Sequence, residues 1–355
     1  MAYIKVAVNR LRKGMIVGED VYTKTGVILV TQGSPVTKEV VNLLTRHFID
    51  GISVEYQTDT SESVIPKANI NEEQYNEFKE EFMVAENKLS DNLKNIVYKS
   101  SDINVSALME VTNNILNKSK NENDLCNMLL KMKEHTESIY AHSINVSIFC
   151  QILARWTNCT EQEIEDVAVA GLLHDIGALK FSKDTLDNYS FRKEIEGGVY
   201  DKHVINGYNL IKNQDIDDDI KKAVLTHHEK LDGSGFPLRV GQAGICKIAR
   251  ILAIADIYDT YTMKEEGESI IPVFNVLKML EQMHLNRKLD SQYTMTFISR
   301  VAETLVGYEV ELNNGHVGKV VMINKYDISK PLVQVGEMFI DLSRNSDVYV
   351  TKIFK

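Results

Sequence analysis

The chain has 355 residues, 44% hydrophobic and 25% charged, with a formal net charge of −10. This is the make-up of an ordinary globular protein with room for two or three domains, and the negative balance argues against general nucleic-acid binding, so no DNA binding is expected. The four cysteines, Cys126, Cys150, Cys159 and Cys246, form no CxxC pair and read as reduced thiols. The stretch MAYIKVAVNR lacks a signal-peptide core, and no run of about 18 apolar residues exists to span a bilayer, so the expectation is a cytoplasmic protein off the membrane.

Residues 1–57 read as a small α+β module in a regulatory or accessory role. Val17–Tyr22 and Val27–Val30 are strand-like and flank Thr23-Lys24-Thr25-Gly26, a hairpin turn. Thr37 caps a helix running to about His47, and Asp50-Gly51 turns into a strand over Ile52–Tyr56. Residues 58–71, rich in Ser, Thr, Asp and Asn, read as a linker. From Glu72 to Tyr98 the residues Tyr75, Phe78, Phe82, Ala85, Leu89, Leu93 and Ile96 recur at spacings of three and four, the stripe of one helix. That stripe docks on the next domain or pairs with its copy in a homodimer, and docking is favoured. Helical patterns follow over Asp102–Lys118, Asn123–Thr157, Glu161–Leu173, Asp201–Asn213, Asp217–His228, Ala243–Tyr261, Pro272–Leu280 and Tyr293–Val306, so 72–306 reads as one helical domain. In 307–355 the pattern becomes a small β unit: Tyr308–Leu312 and Val317–Ile323 flank Asn313-Asn314-Gly315-His316, with Leu332–Val335 and Val348–Ile353 beyond.

Five of the nine histidines fall between positions 142 and 228, namely His142, His174, His203, His227 and His228, and they are joined by Asp175 and Asp256. Imidazole with carboxylate suits first-row transition metals, and a carboxylate can bridge two ions. Two ions a few Å apart generate hydroxide and neutralise a phosphoryl group, which points to phosphate-ester hydrolysis. Neighbours on a helix point about 100° apart, so His174 and Asp175 do not easily serve one ion alone, and Asp175 is free to bridge. A single His on an apolar helix face is usually a hydrogen-bonded core residue, and a lone buried Asp256 could pair with Arg250. Neither reading explains seven such residues on successive helices, because buried carboxylates need cationic partners.

His174-Asp175-Ile176-Gly177, His203 followed by Gly207, the run from His227-His228-Glu229-Lys230 to Gly235-Phe236-Pro237, and Ala255-Asp256-Ile257-Tyr258-Asp259 with Thr262 resemble the HD-GYP family of bacterial cyclic-di-GMP phosphodiesterases. The motif core spans about 130–265, and Gly14-Met15-Ile16-Val17 and Glu311–Ile323 look like companion modules of that family. The resemblance implies a mainly α fold: an HD-type helical bundle core flanked by small N-terminal α+β and C-terminal β modules. It implies two divalent ions, iron or manganese, with His142, His174, Asp175 and Asp256 on one and His203, His227 and His228 on the other. Asp175 bridges them, and the shared hydroxide attacks the 3′–5′ phosphodiester to give pGpG and/or GMP. Lys230, Gly235, Phe236 and Pro237 are the implied substrate contacts. The implied partner is cyclic-di-GMP or a related cyclic dinucleotide, with protein partners through the terminal modules.

Several positions depart from the family pattern. Phe236 replaces the Tyr of GYP, and Ala178 stands where a Lys usually follows HDxG, with Lys180 two residues on and turned elsewhere. Glu265 and Glu268 stand where basic residues are expected; Lys264, or Arg287 and Lys288, are candidates to compensate, with an exposed charge run as the default reading. Ser138 replaces the Glu of three-metal members, which favours two ions. The leading function is hydrolysis of cyclic-di-GMP. The rivals are a catalytically weak sensor or partner-binding module, and a phosphohydrolase for another cyclic dinucleotide.

Overall fold

The structure is a computed structural model that describes all residues except 1, 9–10, 12–14, 24–25, 27, 48, 50, 57–71, 133–137, 183–200, 264–270, 346 and 355. The linker 58–71, the turn residues Lys24 and Thr25, and Lys264, Glu265 and Glu268 therefore lie outside the described residues. Contacts divide the chain into two units, 1–65 and 66–355.

In the first unit, strands β1 (Ala2–Ala7), β5 (Gly51–Tyr56) and β2 (Ile16–Val17) form one antiparallel sheet, while β3 (Val21–Tyr22) pairs with β4 (Ile28–Val30). Val17–Tyr22, expected as one strand, is thus two. Asp20 turns the chain between them by accepting the Gln32 N–H at 2.7 Å, the local bonding that makes Asp a strand breaker. Helix α1 (Lys38–Arg46) starts where Thr37 Oγ1 accepts the Val40 N–H, and it buries Leu44 against Val17, Val30, Val36 and Ile52.

The second unit holds α2 (Glu72–Lys99), α3 (Val105–Leu116), α4 (Glu122–Met132), α5 (Ile139–Trp156), α6 (Glu161–Leu173), a 3-10 turn (Ile176–Lys180), α7 (Lys202–Ile211), α8 (Asp218–Thr226), α9 (Lys247–Thr262), α10 (Val273–Leu285) and α11 (Ser291–Thr304). The chain is mainly α, as its periodicity predicts. Every residue of α5 from Ala141 to Ala154 is buried, and α9 is buried on nearly all sides. Helices without a polar face belong inside a bundle, so His142 on α5 and Asp256 on α9 meet near its centre. The whole α2 stripe is buried against α3, α4, α5 and the 3-10 turn of the same chain; each large side chain in it contributes roughly 1.5–3 kcal/mol. Docking is what the stripe does.

One helix read over Asn123–Thr157 is interrupted. Ser138 is extended (φ −89°, ψ 152°) and its Oγ accepts the Ala141 N–H at 3.0 Å, which starts α5 afresh. The side-chain cap competes with continued helix, and the polar run from Lys133 to Ser138 was the sequence signal for it. At the C-terminal end, β6 (Glu309–Leu312), β7 (Val317–Met322), β8 (Leu332–Val335), β9 (Met338–Asp341) and β10 (Val350–Phe354) form an antiparallel sheet in the order β10-β6-β7-β8-β9. The β6–β7 hairpin turns at Gly315 with φ +82°. Edge strand β9 escaped the sequence reading because it buries no residue fully. Val310, Leu312, Val320, Val333 and Val350 share one hydrophobic core with the helices.

Candidate metal centre

Two groups of buried ligand-type side chains lie in the bundle: His142, His174 and Asp175, and then His203, His227 and His228. Asp175 stands between them. Its Oδ2 is 3.4 Å from His174 Nε2 and 3.7 Å from His142 Nε2, while its Oδ1 is 3.6 Å from His203 Nε2 and 3.9 Å from His227 Nε2. Asp256 also reaches both groups, with Oδ1 3.4 Å from His142 Nε2 and Oδ2 3.7 Å from His228 Nδ1. Within the groups, His142 Nε2 and His174 Nε2 are 3.2 Å apart, and His203 Nε2 and His227 Nε2 are 3.4 Å apart. Ligands held about 2.1 Å from a tetrahedral ion sit roughly 3.4 Å from one another, so the donor spacing and chemistry fit divalent ions. All seven residues expected as ligands converge here.

Local backbone explains the aim of these side chains. His174 caps the C-terminal end of α6 with backbone still helical, and Asp175 then departs at φ −98°, ψ 9°. The change of direction removes the 100° divergence expected of helical neighbours and turns both side chains inward. His174 Nδ1 and His227 Nδ1 lie 2.8 and 3.0 Å from the Gly171 and Val224 carbonyls three residues back. Carbonyls in the last turn of a helix lack N–H partners, so each bond satisfies one, places the ring proton on Nδ1 and leaves Nε2 to accept. His203 is brought in by a close approach. A Cβ on Gly177 would fall 1.9 Å from the His203 carbonyl oxygen and 2.3 Å from Gly207 N, so only glycine lets the 3-10 turn rest on α7.

Burial pushes the His227 and His228 imidazoles well below their ordinary pKa, with neighbouring rings adding to it, so both are neutral donors. Burial acts the same way on His142, but its contacts with Asp256 and Asp259 outweigh it and raise its pKa to about 10. For Asp256 burial favours the neutral acid, and the contact with His142 and the nearby rings reverse this and hold the carboxyl well below the carboxylate range.

Two residues that the sequence reading named only as part of the motifs, Asp259 and Glu229, have roles it did not assign. Asp259 is fully buried and its Oδ2 lies 2.8 Å from His142 Nδ1, the outer carboxylate that fixes a ligand imidazole. Its place three residues after Asp256, on the same face of an apolar helix, was the available signal. Glu229 Oε1 accepts the Leu238 and Arg239 N–H groups at 2.6 and 2.8 Å and folds the Gly235-Phe236-Pro237 loop back onto the histidine pair. A Cβ on Gly235 would lie 2.4 Å from Glu229 Cα and the His228 carbonyl oxygen, which fixes that residue as glycine. Half-buried Phe236 stacks on His228 with centroids 4.8 Å apart at 29°. Ala178 is buried in the 3-10 turn, and Lys180 donates to the Val97 carbonyl on α2 at 3.2 Å, away from the site as the sequence predicts.

Residues 123–293 match the HD domain family. The chain is 28% identical over 209 residues to a cyclic di-GMP phosphodiesterase of Pseudomonas aeruginosa, covering 58% of this chain and 50% of that protein. It is 22% identical over 193 residues to a cyclic di-GMP phosphodiesterase of Borreliella burgdorferi, covering 54% and 50%. It is 27% identical over 151 residues to 3′3′-cGAMP-specific phosphodiesterase 3 of Vibrio cholerae, covering 42% and 33%. The chain spans half or less of the length of these relatives. The matched stretch contains all seven residues expected as ligands, and its two buried side-chain groups could hold divalent metal.

Proposed function

We propose that this HD-domain chain is a metal-dependent phosphodiesterase for cyclic dinucleotides, with cyclic di-GMP as substrate and pGpG and/or GMP as products. The observation that carries the reading is Asp175, whose two oxygens face different imidazole groups in a buried site. His142, His174, Asp175 and Asp256 would hold one ion and His203, His227 and His228 the other, with Asp175 shared and iron or manganese as the metals. Two such ions supply an activated water and neutralise charge on the phosphoryl group. The chain's own part is to hold the Nε2 atoms of His174 and His227 inward and unprotonated, to exclude bulk water by burial, and to present the substrate side through Gly235, Phe236, Pro237 and Lys230. Phe236, stacked on His228 by one face, has the other to offer a base. The modules at 1–57 and 307–355 are read as accessory, with protein partners at their surfaces and the whole protein in the cytoplasm.

A second reading, another cyclic dinucleotide, is favoured by the Vibrio cholerae relatives named for 3′3′-cGAMP. Purified protein reconstituted anaerobically with Fe(II) or Mn(II) is mixed with cyclic di-GMP and with 3′3′-cGAMP, and products are separated by chromatography. Turnover that needs metal and disappears in Asp175→Ala is expected. Tight binding of either nucleotide with no product makes the chain a sensor and sinks the enzyme reading.

A further inference from the structure

Lys230 is a cation in an unusual setting. Two residues past His228 and outside both ligand groups, it is only 8% exposed, and its ammonium makes no hydrogen bond among the described residues. A buried charge without partners is costly. Its charged surroundings are mixed: Asp256, Asp232 and Glu229 favour the cation, and Lys288 opposes it.

Lys288 is brought there by backbone bonding. Its carbonyl accepts the Leu231 N–H at 3.0 Å, and its own N–H closes on the Met283 carbonyl at 2.9 Å. The turn passes through Arg287 at φ +58°, the left-handed region that side-chain-bearing residues disfavour. The end of α10 is thus folded against the residue that follows Lys230. Cations beyond a helix C-terminus are stabilised by the helix dipole, which accounts for Arg287 and Lys288 taken alone. It does not account for a desolvated Lys230 beside a second lysine. Like charges brought this near repel, and a bound anion would relieve both the repulsion and the missing hydrogen bonds of Lys230.

We propose that Lys230 and Lys288 form a subsite for a phosphodiester anion, the second phosphate of a cyclic dinucleotide, while the first lies at the histidine groups. The inference rests on the dinucleotide reading above. A cyclic dinucleotide carries two singly charged phosphates, and only one is attacked at a time. Phe236, on the same loop as Lys230, would receive the base between them.

Two probes separate the roles: cyclic di-GMP with two phosphates, and bis(p-nitrophenyl) phosphate with one. In the full chain loaded with Mn(II), Lys288→Ala and Lys230→Met are each expected to raise KM for cyclic di-GMP about tenfold, the scale of one charge-assisted hydrogen bond, and to affect the single-phosphate probe far less. Calorimetry on the metal-free protein should show the same weakening of cyclic di-GMP binding. Lys230→Met removes an unpaired buried charge, so its Tm should hold or rise; a lysine kept for structure would lower it. Equal losses on both probes, an unchanged KM for cyclic di-GMP, or a fall in Tm for Lys230→Met overturns the subsite. Wild-type protein that cleaves the single-phosphate probe but neither binds nor cleaves cyclic di-GMP overturns the dinucleotide reading itself.

Discussion

His142 and Asp256 stand on helices buried on nearly every side, and His174 and His227 close helices whose own carbonyls hold their rings. Lys230, Phe236 and Pro237 stand instead on a run of turns tied down by one carboxylate, Glu229. The first region gets its precision from secondary structure and core packing, where any shift costs many contacts at once. The second gets it from a glycine and a handful of turn hydrogen bonds, those accepted by Glu229 among them. Chemistry that relatives share belongs on the first kind of support, and discrimination between substrates on the second, where loops change without disturbing the bundle.

The contrast can be broken at its strongest point. Asp175→Ala removes the carboxylate common to both histidine groups; turnover should fall at least about a thousandfold, and metal analysis should give fewer than one ion per chain. Gly177→Val should come next, since its side chain collides with the His203 carbonyl and drives α7 away from Asp175. About one ion should remain; two retained ions would show that the glycine approach does not set the second group. Asp259→Asn keeps the shape but weakens the hold on His142, and a loss of about 10- to 100-fold in metal affinity is expected. On the loop, Glu229→Ala should raise KM about tenfold while the metal content stays at the wild-type value, because only the two bonds to Leu238 and Arg239 are lost. Phe236→Tyr, which restores the family hydroxyl, should change kcat/KM less than about threefold if stacking on His228 is what the ring provides. A larger gain there would give the hydroxyl a role of its own.

Much of the bundle was legible because its signal is periodic. The α2 stripe follows helical spacing, and the seven ligand-type residues stand out against their apolar neighbours. The start of α5 at Ser138 was not read, although the polar run from Lys133 to Ser138 was the available signal for a break. Asp259 was hidden by company: one acid in an apolar helix is conspicuous, but a second three residues on reads as part of the same motif. The role of Glu229 was beyond sequence, and Lys288, named there only as one of several substitutes for missing charge, could not be placed beside Lys230, because both depend on what loops touch. Glu229 reaches nine and ten residues ahead, and Lys288 is joined by backbone to a residue 57 positions earlier (288 − 231).

Asp175 and Asp256 each reach across both histidine groups. Donors held in common make occupancy of the two positions interdependent: the first ion to bind freezes both carboxylates and lowers the entropy still to be lost by the second. Uptake should then be cooperative, with a half-filled form scarcely populated. Titration with a chelator should strip both ions in one steep transition, and two well-separated steps would mean that each group keeps its ion independently.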